Sequence, residues 1–328
     1  MSTTIGDTPG TTYRQAITQA LRDEMRSDPT VVLLGEDVGA AGGVFKVTEG
    51  LLEEFGPGRV RDTPISEVAI VGAALGAALN GLRPVAELMF ADFVAVAMDQ
   101  LALQIPTYRY LTGGQVKVPL VVRAVAGAGL GFAAQHSGSP VAWFMHVPGW
   151  RVVAPSTPSD AYALLRAAIR CDDPVLFFEH KALYGRRGRL DRPEAAVIGR
   201  ATVVRDGDDV TIVAVSMMVE RALAAAELLA TRGIRAEVID LRTLAPWDRE
   251  AVLRSVRRTG RLVTVEESPR ECGWGAEVVS TVAERMRPPV ARVTAPSSPI
   301  PFSPALEAEW IPRPEKVVAT VEALLAES

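Results

Sequence analysis

Apolar positions along this chain follow two alternating rhythms. Short β-branched runs, VVLL at 31–34, VAEL at 85–88, LVVR at 120–123, RVV at 151–153 and VLFF at 175–178, read as strands. Between them, residues 13–27, 67–80, 93–110 and 159–170 place apolar side chains three and four apart, the spacing of one helix face. Strands separated by helices predict an α/β, doubly wound, mostly parallel sheet with helices on both faces. After Tyr184 the chain reads GRRGRLDRP, with charge, glycine and proline but little to bury. A boundary is expected there, between a first domain of residues 1–190 and a second of residues 191–328. The second half repeats the alternation, with strands predicted at 210–215, 236–239, 262–265 and 291–293 and helices at 219–231, 248–258, 276–286 and 315–325. Gly233 and Gly260 stand just past two of these helices, where a left-handed residue commonly ends one. Residues 296–314 hold six prolines and Trp310, and are expected to wrap as an ordered arm without regular helix.

Composition adds mainly exclusions. A length of 328 residues suits two domains of ~150 residues each. With 48% hydrophobic and 23% charged residues, the chain is far from the composition of disordered proteins. Lys and Arg number 35 against 39 Asp and Glu, and no basic run exceeds a pair, which argues against a nucleic-acid partner. Cys171 and Cys272 are far apart, with no CxxC or His-rich neighbourhood, so neither a disulfide scaffold nor a zinc site is expected, and a reducing, cytoplasmic compartment fits. The longest small-apolar run, 68–79, is interrupted by Gly72 and Gly76, and no secretory signal or membrane span is expected.

The glycine motif GAGLG at 127–131 follows a strand, but Phe132 stands where a dinucleotide fingerprint needs glycine and AAQH follows instead of an amphipathic helix. A Walker lysine is absent, and so is the Gly-Asp-Gly with a later Asn that presents a divalent metal to a diphosphate. Any phosphate binding must therefore come from another chain. DTPISE at 62–67 opens a helix of small residues, with Ser66 as N-cap and Glu67 favoured by the helix dipole. Glu67 has two readings. It is a surface carboxylate that complements the dipole, or, because Gly72, Ala73, Gly76 and Ala77 admit close packing inside the domain or across a subunit interface, a desolvated one able to hold or exchange a proton. Of the three histidines, His136 lies in a polar, irregular stretch with no core to join. His146, among Trp143, Phe144, Met145 and Val147, reads as a core or interface residue, and His180 as a strand-end contact or a chemical group.

GEDVG at 35–39, GGVFKVTEGL at 42–51, DTPISE at 62–67, GLRPV at 81–85, QHS at 135–137, PSTPSDA at 155–161, DDPV at 172–175 and DLRTLAPWD at 240–248 resemble the β subunit of thiamine-diphosphate-dependent E1 components. The motifs keep the family's order and spacing from residue 13 to about residue 325. The resemblance implies a transketolase-like pyrimidine-binding domain followed by a transketolase C-terminal domain. It also implies an α2β2 heterotetramer with active sites between α and β, in which the α subunit holds the diphosphate and Mg²⁺. Carried over to this sequence, Glu67 meets the N1′ nitrogen of the aminopyrimidine and exchanges the proton that lets the ring deprotonate C2. Phe93 lies against the pyrimidine, Glu36 joins the carboxylates around the cofactor, and His136 assists proton transfer and acylation of the lipoyl group. Some relatives hold a structural K⁺ on main-chain carbonyls that match Leu120, Ala168, Ile169, Cys171 and Asp173.

ELMFADF at 87–93, VAGAGL at 125–130, EHKALY at 179–184 and VTAPSSPIPFS at 293–303 are most similar to acetoin dehydrogenase β chains, with pyruvate and branched-chain 2-oxoacid dehydrogenase β chains close behind. The family pattern is broken at LQIPTYRY, 103–110, and at GSPV, 138–141, which leaves the substrate open. Segments 90–93 and 127–136 contain no Arg or Lys, which leans toward neutral acetoin over a 2-oxo acid, although Arg109 and Arg123 are not far along the chain. The implied partners are an E1 α subunit, a lipoyl-bearing E2 acyltransferase and a small-molecule substrate. A non-catalytic structural subunit on the same fold is the alternative of a different class.

Overall fold

The computed structural model describes residues 10–190 and 196–326. The expected boundary after Leu190 runs into residues 191–195, outside the described residues, as does the polar start up to Pro9. Among the described residues two large sheets form. The first has seven strands, in the spatial order Thr243–Ala245, Arg151–Val153, Val175–His180, Val121–Ala126, Arg83–Leu88, Val31–Gly35 and Val60–Asp62. Its neighbours run parallel except for the first pair. The second has five strands, Val290–Ala295, Leu262–Pro269, Val210–Ala214, Ala236–Asp240 and Thr202–Arg205, parallel except for the last pair.

Alternate strand residues bury on opposite faces, as the two-residue strand period requires. Val31, Leu33, Val85, Val121, Val125 and Phe177 join one apolar core, and Leu34, Ala86, Leu88, Val122, Ala124 and Phe178 join the other. Both cores continue into the second sheet, through Val210 and Ile212 on one side and Val213 and Ile239 on the other. At roughly 1.5–3 kcal/mol per fully buried large apolar side chain, these shared cores make the two sheets one packed body. Helices Tyr13–Ser27 and Pro158–Arg170 cover one face through Ile17, Leu21, Leu164 and Leu165. The first is started by a reciprocal cap between Thr12 and Gln15 and the second by the Thr157 side chain on the Asp160 N–H.

Two expectations differ from the fold, and one strand is new. The segment expected as a helix over 93–110 is a 3₁₀ turn at Ala91–Ala95, a π-helical stretch at Asp99–Gln104 and a short helix at Ile105–Leu111. Pro106 has no N–H to return to the preceding turn, and the Ile105 N–H reaches back five residues to Gln100. The Pro-rich arm contains a helix, Pro304–Trp310, because Pro304 occupies its first position, where a missing N–H costs nothing. Residues Thr243–Ala245, where no strand is predicted, form an edge strand of the first sheet, so the second half of the chain completes the sheet of the first.

Candidate functional site

In an open parallel sheet, ligands collect outside the carboxyl ends of the strands where the winding reverses. Here that point lies between Val31–Gly35 and Arg83–Leu88: the chain leaves the former for the edge strand Val60–Asp62, then crosses back to the latter. The residues that follow these strands are Glu36, Glu67 and the 90–93 segment. Asp62 ties two of them together, accepting from the Gly39 N–H at 2.6 Å and the Ala40 N–H at 3.2 Å, while the Thr63 N–H donates to the Gly35 carbonyl at 3.0 Å.

Glu67 is the first residue of the helix Glu67–Leu79 and is 7% exposed; Glu36 is 8% exposed. Ser66 precedes the helix, yet its side chain makes no capping bond, so the cap expected from sequence is positional only. Burial pushes the Glu36 carboxyl above its ordinary range, and the charges of Glu67 and Asp37 push it further. On the outer face of the same helix Val68, Ala69, Ala73 and Gly76 are exposed, and a Cβ at Gly76 would meet nothing within 4 Å.

Phe93 and His136, 43 positions apart in the numbering, come together with ring centroids 5.5 Å apart, and Phe90 stands edge-on to His136 at 4.7 Å. Phe90 also packs on Phe45 and Phe132 at 5.9 and 5.8 Å, extending this aromatic wall. Phe90, Asp92 and Lys181 also belong to this group, although no motif singles them out in the sequence. The Asp92 carboxylate accepts from the Gly138 N–H at 3.0 Å, and burial raises its titration. Lys181 donates through Nζ to the carbonyls of Gly127 and His136, and burial lowers its pKa to about 8. The only sequence signal for these residues was their place just after strands.

His180 is buried, with Nε2 2.8 Å from Glu267 Oε2 of the second sheet, so it makes a strand-end polar contact. His146, expected as a core or interface residue, is exposed just after the short helix Val141–Met145; the apolar neighbours turn Val141 and Phe144 inward and leave it outside the core.

The five main-chain positions proposed for K⁺ cluster near the C-terminal end of the helix Pro158–Arg170. The Leu120 carbonyl accepts from the Val175 N–H, Ala168 from the Cys171 N–H, and the Arg83 guanidinium donates to the carbonyls of Ile169 and Cys171 at 3.0 and 3.1 Å. Asp173 is paired with Arg109 and Arg151. A cation is favoured at such a helix end, and Arg83 already supplies one. Among the described residues no group of three or more His, Cys, Asp or Glu could hold a metal ion, and no helix is long and apolar enough to cross a membrane.

A buried carboxylate pair and an aromatic wall suit the pyrimidine end of thiamine diphosphate. Comparison with known proteins gives the family. The model of the transketolase pyrimidine-binding domain matches residues 10–187 and that of the transketolase C-terminal domain residues 199–317. The β subunit of acetoin:2,6-dichlorophenolindophenol oxidoreductase of Cupriavidus necator is 47% identical, covering 93% of this chain and 94% of its own. The 2-oxoisovalerate dehydrogenase β subunit of Bacillus subtilis is 43% identical, covering 95% and 98%. A solved chain described as a split-gene transketolase, inactive β4 tetramer, superposes with a TM-score of 0.83 at 28% identity, covering 97% of this chain and 99% of its own. The fold and the two matched domains thus define a transketolase-type chain with the pyrimidine-binding and C-terminal domains. The chain belongs to the family of β subunits of thiamine-diphosphate-dependent E1 components.

Proposed function

We propose that this chain forms the pyrimidine side of the active site of an α2β2 E1 enzyme that cleaves acetoin and passes the two-carbon unit to a lipoyl carrier on an E2 acyltransferase. The observation that carries the reading is the pair of buried carboxylates, Glu36 and Glu67, at the switch point, with the Phe93–His136 ring pair on segments that follow the strands of the same sheet. Thiamine diphosphate, when bound, supplies the nucleophilic carbon that adds to the substrate carbonyl. Glu67 holds or exchanges a proton at the ring nitrogen N1′, and Glu36 keeps negative charge close to it. Phe93 gives the ring an apolar wall. His136, at the end of that wall, serves the later proton transfers, when the two-carbon unit is oxidised to the acyl level and the lipoyl disulfide is reduced. The α subunit brings the diphosphate site and Mg²⁺, and the exposed stripe of Val68, Ala69, Ala73 and Gly76 is the surface it covers.

The neutral substrate is supported by the state of the cations on the neighbouring strands and of Arg109, which lies at the amino end of the sheet, away from the site. Arg123 is 1% exposed and held by Glu87 and Glu179, Arg109 is paired with Asp173, and Lys181 points its ammonium at two carbonyls. None is free to meet a substrate carboxylate. Reconstituted enzyme should reduce an artificial electron acceptor with a higher kcat/KM for acetoin than for pyruvate or 2-oxoisovalerate. The reverse order, with CO₂ released in step, would assign a pyruvate or branched-chain 2-oxo acid dehydrogenase whose α subunit supplies the missing charge. No activity with any α partner would assign a structural subunit. K⁺ at Leu120, Ala168, Ile169, Cys171 and Asp173 would share two carbonyls with Arg83; a higher Tm in K⁺ than in Na⁺ would establish that both fit.

A further inference from the structure

The loop that carries His136 is held by residues remote from it in sequence. Residues 127–139 contain no helix or strand, and Gly127, Gly129, Gly131 and Ala133 all stand at positive φ. Its own backbone ties are two: the Gly127 N–H to the Gly138 carbonyl at 3.1 Å and the His136 N–H to the Ala133 carbonyl at 3.4 Å. The loop amides are taken instead by carboxylates. Glu307 accepts from the Gly129 N–H through Oε1 and from the Gly131 N–H through Oε2, each at 2.9 Å, and Glu267 accepts from the Ala128 N–H at 2.6 Å. Successive N–H groups in such glycine turns make a concavity for an anion, and here the protein's own carboxylate fills it.

Glu307 is 3% exposed and sits on the short helix of the Pro-rich arm, Pro304–Trp310, where Pro304 at its start and the Trp310 Nε1–H bond to the Ser298 carbonyl at 3.1 Å fix its placement. One side of the loop is thus pinned by the arm, and the other by Lys181 on the carbonyls of Gly127 and His136.

We propose that Glu307 is a positioning residue for the acyl-transfer step: the arm clasps the 129–131 amides and so fixes where the His136 imidazole stands. This rests on the reading of His136 given above. A glutamine at 307 keeps one acceptor and turns an amide N–H against the second loop N–H, so Glu307→Gln should open the clasp while leaving the helix and its packing in place.

Hydrogen exchange on the full-length chain should then show the amides of residues 128–131 exchanging about tenfold faster or more, with strands 121–126 and 175–180 unchanged. In reconstituted enzyme, C2 hydrogen–deuterium exchange of the cofactor should stay within about twofold of wild type while acyl transfer to lipoyl groups falls about 10- to 100-fold. Glu307→Gln combined with His136→Ala should be no slower than His136→Ala alone, because both act on one group. Glu307→Asp, which keeps the charge on a shorter stem, should recover part of the transfer rate, and it serves in place of the glutamine variant if that fails to fold. Unchanged loop exchange, or wild-type transfer with the loop opened, would overturn the proposal. Should His136→Ala itself transfer normally, the reading of His136 falls and the clasp is decided by loop exchange alone.

Discussion

Two groups of buried carboxylates at the first sheet differ in what faces them. Glu87 and Glu179 flank Arg123 on adjacent parallel strands: Arg123 Nη1 donates to Glu87 at 2.5 Å, and Nε and Nη2 donate to Glu179 at 2.6 and 2.8 Å. The Tyr184 hydroxyl donates to Glu179 at 2.8 Å and closes the set. Glu36 and Glu67 stand beyond the strand ends with no such cation among the described residues, and each charge opposes the other. Burial raises the titration of Glu87 as it does that of Glu36, so a shifted pKa does not separate the groups. Closure separates them. The first set satisfies itself and belongs to the scaffold; the second buries two carboxylates side by side with no paired cation among the described residues, a cost that a folded chain carries where something else is to bind.

The sharpest test of this contrast is Glu67→Gln in reconstituted enzyme, which should slow C2 deprotonation of the cofactor by about 10²–10⁴ while the chain's stability hardly changes. C2 exchange at the wild-type rate would return Glu67 to a dipole-complementing role. Arg123→Met should show the opposite profile, leaving Glu87 and Glu179 buried without their cation at a cost of about 3–5 kcal/mol, read as a lower midpoint in urea. Survival of Arg123→Met at wild-type stability would break the comparison from the scaffold side.

Asp240 lies between the two extremes. It accepts from the Ser156 hydroxyl and from the Arg242 N–H at 2.8 Å, yet burial lifts its pKa from an ordinary 3.8 to about 7. A carboxyl whose pKa is raised on folding contributes stability in full below its unfolded pKa and loses it as pH climbs through the folded one. Stability measured against Asp240→Asn should therefore fall as pH rises from about 4 to about 7, by up to a few kcal/mol. A flat difference would mean that Ser156 and the Arg242 N–H fully compensate the buried Asp240 charge. Glu36→Gln carries the smallest effect: it removes the repulsion between Glu36 and Glu67 and should raise stability at pH 7 by about 1 kcal/mol or less, with no gain at acid pH, where the raised Glu36 carboxyl is already neutral.

Parallel strands and covering helices were legible because apolar runs and helix-period stretches report burial directly, and Tyr13–Ser27 and Arg151–Val153 stand where the pattern put them. Glu67 was legible as the first carboxylate of a small-residue helix, and His136 as a histidine without a core to join. Phe90, Lys181, Glu267 and Glu307 were not, since an aromatic, a lysine or a glutamate in isolation carries no mark of the surface it will meet. The helix Pro304–Trp310 was hidden for a related reason: proline forbids a helix interior but favours its first position, and composition does not say which position each proline takes.

The sequence by itself determined the alternation of strands and helices, the absence of a diphosphate motif and the residue types that carry the chemistry, because these depend on local periodicity and spacing. The tertiary structure alone decided which carboxylates stand compensated and which do not. It also decided that Thr243–Ala245 closes the first sheet and that Glu307 reaches the loop of His136 across 176 and 178 positions of chain. Those outcomes follow from crossovers that bring distant segments to one sheet edge, and desolvation and hydrogen bonding act on whatever the crossovers bring together.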